Sequence, residues 1–457
     1  MRAGTGACPY KKSMNDPLKE IINIVGDDNT LSQPSGLDTY SVEGKKPIIV
    51  VFPKTVDEFS EIMKVASRES LGIIPWGGGT KIGLGREPQR VDVVLCTKTL
   101  NQVVEHEASD LVAVTQCGIA LKDFQSVLGE KNQFLALDPP HFENGATVGG
   151  IISTNDSGPR RLRYGTIREL LIGVKIVRSD GAIVKGGAKV VKNVAGYDLP
   201  KLYVGSLGTL GIIIEATFRL YPIPELSQTY IVSFSNLSEL RESILSILNS
   251  SLVPTCLEVL NPSLKVKLSD GLNLNLKRGD YALAIRIESV ERAVRDQISR
   301  VKDICGERGF EGIVIEGSSE KALWEGIREF PWKSSENNNT VCKVSVVIGD
   351  VTKVLGFLEE LSKSLGLRIL ASARAGNGIL IVSMDGEISP LVEATKSLRN
   401  LIDSLSGNLI IQDAPSAIKS QAGVWGEIGA SLRVMKKLKS HFDPKGILNP
   451  GRFVGGI

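Results

Sequence analysis

A chain of 457 residues, 42% of them hydrophobic, has room for two or three domains of roughly 100–200 residues each, and that apolar content excludes extended disorder. Lys and Arg total 54 against 51 Asp and Glu, and the net charge of +3 lacks the basic surplus of a nucleic-acid-binding protein. No apolar run reaches bilayer-spanning length, and residues 1–15 mix Arg, Lys, Gly and Pro without the apolar core of a signal peptide.

Six cysteines, Cys8, Cys96, Cys117, Cys256, Cys305 and Cys342, include no Cys-x-x-Cys pair. An iron–sulfur cluster or structural zinc held by this chain alone is not expected, and a reduced, cytoplasmic protein is. Only three histidines occur, His106, His141 and His441, which limits His-based chemistry.

Residues 1–20 are polar and read as a frayed end. Residues 48–52 form an apolar run of strand length. Thr55 and Glu58 stand at capping-box spacing, and Val56, Phe59, Ile62, Met63 and Ala66 then fall on one helical face. A strand at Ile73 and Ile74 follows, so a β-α-β unit delivers Gly77, Gly78 and Gly79 at the exit of its second strand. This loop is neither a Walker loop nor the G-x-G-x-x-G fingerprint, since the last position falls on Ile82. It is either a nest of backbone N–H groups around a pyrophosphate, with Lys81 as countercharge, or a glycine turn between strands.

Residues 91–95 and 111–115 read as strands and 121–128 as a short helix. The stretch 145–165 is dense in Gly, Ser, Thr and Asn. Such backbone suits close approach to a flat polyanionic ligand, and it also suits a pair of tight turns. Strands at 172–177 and 182–184 flank Ser179-Asp180-Gly181, a hairpin signal. Small residues at 205–211 feed a β-branched strand, and Pro222 and Pro224 mark a domain boundary.

From Thr229 strands alternate with helices. Strands are expected at 229–234, 255–260, 281–288, 312–316, 341–348, 368–373, 379–384 and 409–412. Helices are expected at 237–248, 290–304, 319–330, 351–365 and 390–405. The pattern describes one antiparallel sheet with helices on a face. The tail is helical over 424–440.

Separated segments, Pro75 to Thr80, Asp138-Pro139-Pro140 with 146–158, 205–215 and 443–452, together resemble the PCMH-type FAD-binding proteins of the vanillyl-alcohol oxidase superfamily. The branch that contains the glycolate oxidase FAD-binding subunit and D-lactate dehydrogenase is most similar, with 157–161 and 191–198 as the most subunit-like strings. The resemblance implies an α+β fold. Within it an N-terminal segment (1–45) precedes a two-subdomain FAD-binding domain (46–224), an antiparallel-sheet cap covered by helices (225–413) and a C-terminal segment (414–457) that closes on the FAD site.

The resemblance further implies that Gly77, Gly78, Gly79, Thr80 and Lys81 wrap the FAD pyrophosphate. Pro139, Thr147, Gly149, Gly150, Thr154, Asn155 and Gly158 would line the isoalloxazine and ribityl path. Ile212 and Ile213 would border the adenine, and Asn449 would approach the flavin from the tail. No His lies in the 77–85 loop, so non-covalent FAD is expected.

Metal-dependent relatives carry histidines where this chain has Arg374-Ala375-Gly376-Asn377-Gly378-Ile379 and Gly423-Val424-Trp425-Gly426-Glu427-Ile428. Glu427 alone is no zinc site, His441 reads as structural, and no metal is expected. Arg328 resembles the family's substrate-carboxylate Arg, or is a surface residue of its helix; Lys343 begins the strand that supplies a Lys. An Arg fork can give a carboxylate two parallel hydrogen bonds.

The implied activity is oxidation of a small 2-hydroxy acid, glycolate or D-lactate, by hydride transfer to flavin N5, with Arg328 and Lys343 holding the carboxylate. The alternative is an FAD-carrying, non-catalytic or electron-relay subunit beside a paralogous flavin subunit and an iron–sulfur subunit. Through such partners the chain could meet a membrane peripherally. A nucleotide-binding regulator that uses no flavin is a third reading.

Overall fold

A computed structural model describes residues 15–188, 198–276, 281–332 and 338–457. Cys8 and most of the string 191–198 lie outside the described residues. The expected fray to residue 20 stops short, because a helix begins at Asn15 and runs to Val25. Leu18, Ile21, Ile22 and Val25 recur at helical spacing and pack on Phe59, Ile62 and Met63 of the helix Val56–Glu69. Thr55 Oγ1 accepts from the Glu58 N–H at 3.2 Å, and the Glu58 carboxylate accepts the Thr55 N–H in return.

The N-terminal half, up to Pro222, holds two sheets. The first comprises β1 (Thr30–Leu31), β2 (Ile49–Val51), β3 (Ile73–Trp76) and β4 (Val93–Cys96), in the order β1-β2-β4-β3. β2, β4 and β3 run parallel, and their near-continuous burial is what a sheet covered on both faces requires. The second comprises β5 (Val103–Glu107), β6 (Val112–Gln116), β8 (Leu171–Val177), β9 (Ile183–Gly187) and β10 (Ile212–Arg219), antiparallel in the order β5-β6-β10-β8-β9. A short ribbon pairs β7 (Gln133–Phe134) with β11 (Tyr221–Pro222). Gly181 turns the β8–β9 hairpin at φ 83°, with the Ser60 carbonyl 2.6 Å from where a Cβ would stand.

The cap is an eight-stranded antiparallel sheet in the order β15-β12-β14-β13-β17-β18-β16-β19. Its strands are β12 (Leu226–Phe234), β13 (Cys256–Leu260), β14 (Tyr281–Ser289), β15 (Gly312–Glu316), β16 (Asn338–Ser345), β17 (Arg368–Arg374), β18 (Ile379–Gly386) and β19 (Asn408–Asp413). Helices Leu237–Leu248, Glu291–Gly306, Val351–Leu365 and Ile388–Ser404 bury one face. Helices Pro262–Leu272 and Gly317–Glu329 cover part of the other, and the remainder of that face meets the N-terminal half.

The tail helix begins at Ser431 rather than 424 and ends at Phe442. Gly429 at φ 57° breaks the helical path, and the Val424 carbonyl accepts the Ile411 N–H from β19. Beyond the helix, Ile447 and Leu448 enter the core of the first sheet, and Leu448 bridges Ile73. Lys439, buried, donates to Asp443 at 2.6 Å and to the Thr209 and Leu448 carbonyls, locking the tail to the loop before β10. No helix among the described residues is long and apolar enough to cross a membrane.

A buried ion cluster joins the halves. Arg160 donates two hydrogen bonds to Glu288, which also pairs with Arg286 at 2.9 Å and accepts Arg163 at its backbone carbonyl. Burial alone would raise the Glu288 carboxyl; Arg160 and Arg286 outweigh it and hold it below the usual range. Glu288→Ala strands the partly buried Arg160 guanidinium, whereas Arg286 keeps Glu320 at 3.3 Å. The substitution should lower stability by about 3–5 kcal/mol, read as a shift of the urea midpoint.

Candidate active site

Glycines at 77–79 exist where side chains do not fit. A Cβ on Gly77 would stand 2.2 Å from Thr147 Oγ1, one on Gly78 2.2 Å from the Gly145 carbonyl, and one on Gly79 2.7 Å from the Trp76 ring. Gly79 also takes φ 75°. Among the described residues none of the N–H groups of 77–81 donates a loop hydrogen bond within the protein. This loop borders a cavity that reaches to Asn449 and Arg452 in the tail.

The 145–165 stretch forms more structure than a glycine loop. Thr147 caps a helix, Val148–Thr154, by accepting the Gly150 N–H at 3.3 Å, and Val148, Ile151 and Ile152 bury its inner face. Gly149 and Gly150 leave its outer face flush with the cavity. Asn449, at φ 46°, gives its amide to the Leu207 carbonyl at 2.6 Å, while its Oδ1 is buried without a partner. Arg452 donates to the Leu84 carbonyl at 2.6 Å and to the Ile82 carbonyl, pinning the loop to the tail; burial lowers its pKa to about 10.

Most of the residues expected at the cofactor line this cavity: Gly77, Gly78, Gly79, Thr80, Lys81, Thr147, Gly149, Gly150, Thr154, Ile212, Ile213 and Asn449. Pro139, Asn155 and Gly158 do not. Pro139 is buried, and its neighbour Pro140 takes the wall. Asn155 is the left-handed C-cap of the short helix. A Cβ on Gly158 would stand 1.8 Å from the Asp138 carbonyl, so this glycine serves packing. It brings the Arg160 N–H to the Asp138 carboxylate. Lys81 is also not a free countercharge. Its ammonium pairs with Asp156 at 3.0 Å and lies 3.7 Å from the Trp332 ring centre, turned toward the cap.

There a second pocket shares Lys81, Pro140 and Asp156 with the first. It brings together the two expected carboxylate binders, Arg328 and Lys343, and adds Arg374, Glu258 and Trp332. The sheet explains the arrangement. Lys343 sits opposite Ile381, which sits opposite Ser372; two residues along, Arg374 sits opposite Glu258. All therefore project from one face.

Lys343 carries no ion pair or hydrogen bond among the described residues. Burial, with Arg374, Arg161 and Lys81 nearby, outweighs Asp156 and lowers its pKa to about 8. Arg328 is partly engaged, its Nε donating to Glu329 at 2.9 Å and its guanidinium lying over Phe142. Arg374 donates to Ser157 Oγ and to the Ser157 carbonyl across the domain boundary.

His141 was read only as one of three histidines, yet it packs its ring on Trp332 at 4.7 Å beside Lys81. Its N–H donates to Glu329, its φ is 62°, and its buried Nε2 has no partner. Burial and Lys81 lower its pKa. His441 ends the tail helix, and Glu427 is exposed on a separate surface cleft.

Residues 47–187 match the FAD binding domain family, and residues 425–453 match the C-terminal domain of FAD linked oxidases. The chain is 26% identical over 453 residues to the glycolate oxidase subunit GlcD of Bacillus subtilis, which it spans over 96% of both chains. It is 28% identical over 451 residues to D-lactate dehydrogenase of Archaeoglobus fulgidus, covering 96% of this chain and 98% of that one. A crystal structure of p-cresol methylhydroxylase with substrate bound shares the fold, with a TM-score of 0.78 at 16% identity over 96% of each chain. The glycine cradle, the unpartnered N–H groups and the orphaned Asn449 acceptor fit FAD: donors for two phosphates, small residues for a flat ring, and a buried oxygen awaiting a donor. A regulator without flavin is thereby set aside.

Proposed function

We propose that this chain, whose residues 47–187 and 425–453 match the FAD binding domain and the C-terminal domain of FAD linked oxidases, oxidises a small 2-hydroxy acid of the glycolate or D-lactate type. Lys343 carries the proposal: a half-buried lysine with no ion pair or hydrogen bond among the described residues, beside Arg328, in a pocket that shares Lys81, Pro140 and Asp156 with the glycine-lined cavity. The cofactor would be held by 77–80, the Val148–Thr154 helix and Asn449, and when bound it would accept the C2 hydride.

The protein's own groups do the rest. Lys343 and the free edge of Arg328 hold the substrate carboxylate, since an unpaired buried cation gains most from an incoming anion. Lys81, paired with Asp156, lines both cavities, and its contact with the Trp332 ring fixes it where they adjoin. Reduction of the FAD-loaded protein by glycolate or D-lactate under anaerobic conditions, seen as bleaching of the oxidised flavin band, is the expected result. A band unchanged by a panel of 2-hydroxy acids would contradict the proposal.

Binding should also depend on pH. Lys343 is protonated below about 8, so the dissociation constant of a 2-oxo acid such as glyoxylate should be flat at lower pH. Above pH 8 it should rise, by about tenfold per unit, as the ammonium is lost. Titration of the flavin spectrum with glyoxylate between pH 6 and 10 measures it.

The match to a glycolate oxidase subunit favours a second reading, an FAD-carrying relay subunit that works beside a paralogous flavin subunit and an iron–sulfur subunit. Turnover by the isolated chain with an artificial electron acceptor would exclude it.

A further inference from the structure

A carboxylate in the middle of an apolar strand is costly, and β13 holds one. Glu258 is 1% exposed, flanked by Leu257 and Val259 and by no local charge on its own strand. Its Oε2 accepts from Ser372 Oγ. Its Oε1 is buried and has no hydrogen-bond partner among the described residues; the Arg374 Nε stands 3.8 Å away, within ion-pair reach but too far for a hydrogen bond. An orphaned buried acceptor costs about 1–3 kcal/mol, which a purely structural role would avoid. The same carboxylate lines the pocket that holds Lys343 and Arg328.

We infer that Glu258 is the general base of the reaction, its Oε1 taking the hydroxyl proton of a 2-hydroxy acid that Lys343 and Arg328 hold in the pocket. This rests on the function proposed above. The hydroxyl O–H bond breaks and its proton goes to Glu258 Oε1. The electron pair left on oxygen becomes the second bond of the C2 carbonyl as C2 gives up its hydride to oxidised flavin. A hydroxyl donor supplies the partner that Oε1 lacks. Ser372 holds the other oxygen, which fixes the carboxylate in place.

The surroundings set its titration. Arg374 and Ser372 face it from β17, Asp138 from the loop before Pro139, and Lys343 and Arg328 from across the pocket. Cys256, on the same face of β13, lies near Arg160, Arg286 and Glu288, which pair with one another. Burial outweighs Arg374 and Ser372, with Asp138 adding to it, and the Glu258 pKa rises to about 7. Below that value the base is protonated and unable to act. Lys343 must stay protonated to hold the substrate, so the two together give a bell between about 7 and 8.

The test is anaerobic stopped-flow reduction of the FAD-loaded protein by the 2-hydroxy acid that reduces it, between pH 5.5 and 9. Glu258→Gln keeps shape and removes the base. It should retain FAD and bind glyoxylate with the wild-type dissociation constant, yet reduce about 10²–10⁴-fold more slowly and without the acidic limb. Glu258→Asp should keep the limb at a reduced rate, and it decides the matter where the Gln variant does not fold. Reduction of Glu258→Gln at the wild-type rate with the acidic limb intact, or loss of the limb in Glu258→Asp, would overturn the assignment and leave the proposed function standing. A wild-type flavin that no 2-hydroxy acid reduces would overturn both.

Discussion

Gly78→Ala should yield a folded protein that has lost its yellow colour. The added Cβ would stand 2.2 Å from the Gly145 carbonyl, a backbone atom that cannot swing aside as a side-chain tip can. Either the 77–81 loop moves or Gly145 does, and with it Ala146 and Thr147, which line the cavity beside that loop. Overpacking of this kind costs about 1–3 kcal/mol, and here the displacement also turns the N–H donors of 77–81 away from a common centre. FAD affinity should fall by about 10–100-fold, measured as flavin released on dialysis. Gly129→Ala is the control, because nothing lies within 4 Å of a Cβ there. It should keep its flavin.

Lys343→Met should keep FAD and lose the substrate. The methionine preserves the bulk of the stem and removes the ammonium, so the sheet face should stay packed. Asp156 does not become an orphan, because Lys81 still pairs with it at 3.0 Å. What is lost is the cation left over for an incoming carboxylate, and deleting one partner of a buried charge pair costs about 2–5 kcal/mol. kcat/KM for the 2-hydroxy acid should therefore drop by about 10²–10³-fold. Arg328→Ala should cost less, since Glu329 already takes part of that guanidinium's charge. Equal effects of the two substitutions would show that both cations carry the carboxylate.

Local pattern made much of the fold legible. The capping box at Thr55, the hairpin turn at Gly181 and the helices at Leu237–Leu248 and Val351–Leu365 follow from neighbouring residues alone. The helix Pro262–Leu272 carries a start signal, Asn261 as cap with Pro262 at the first turn, but its apolar face is too weak to mark it as a helix. Val148–Thr154 was hidden by Gly149 and Gly150, whose low helix propensity is overridden by burial of Val148, Ile151 and Ile152. The glycine-lined cavity could be read because glycine announces close approach wherever it is needed.

The second pocket could be read only in part. Arg328 and Lys343 came from resemblance, whereas Arg374 meets Ser157 across the domain boundary, a pairing no local period encodes. Asp156 lies inside the small-residue stretch, where nothing local marks its pairing with Lys81. Glu258 did leave a mark, a lone charge within an apolar strand, and Trp332 and His141 left none. The string 157–161 turned out to hold the halves together: Ser157 accepts Arg374 and Arg160 pairs with Glu288. Residues chosen for a subunit-like look thus lock the cap over the cavity.

A crystal structure of the chain with FAD and glyoxylate tests the central claim most directly. It should show the flavin in the glycine-lined cavity. The glyoxylate carboxylate should lie within hydrogen-bond reach of Lys343 Nζ, on the cap side of Lys81. A flavin bound elsewhere, or a glyoxylate held away from Lys343 with the Arg328–Glu329 pair undisturbed, would contradict it.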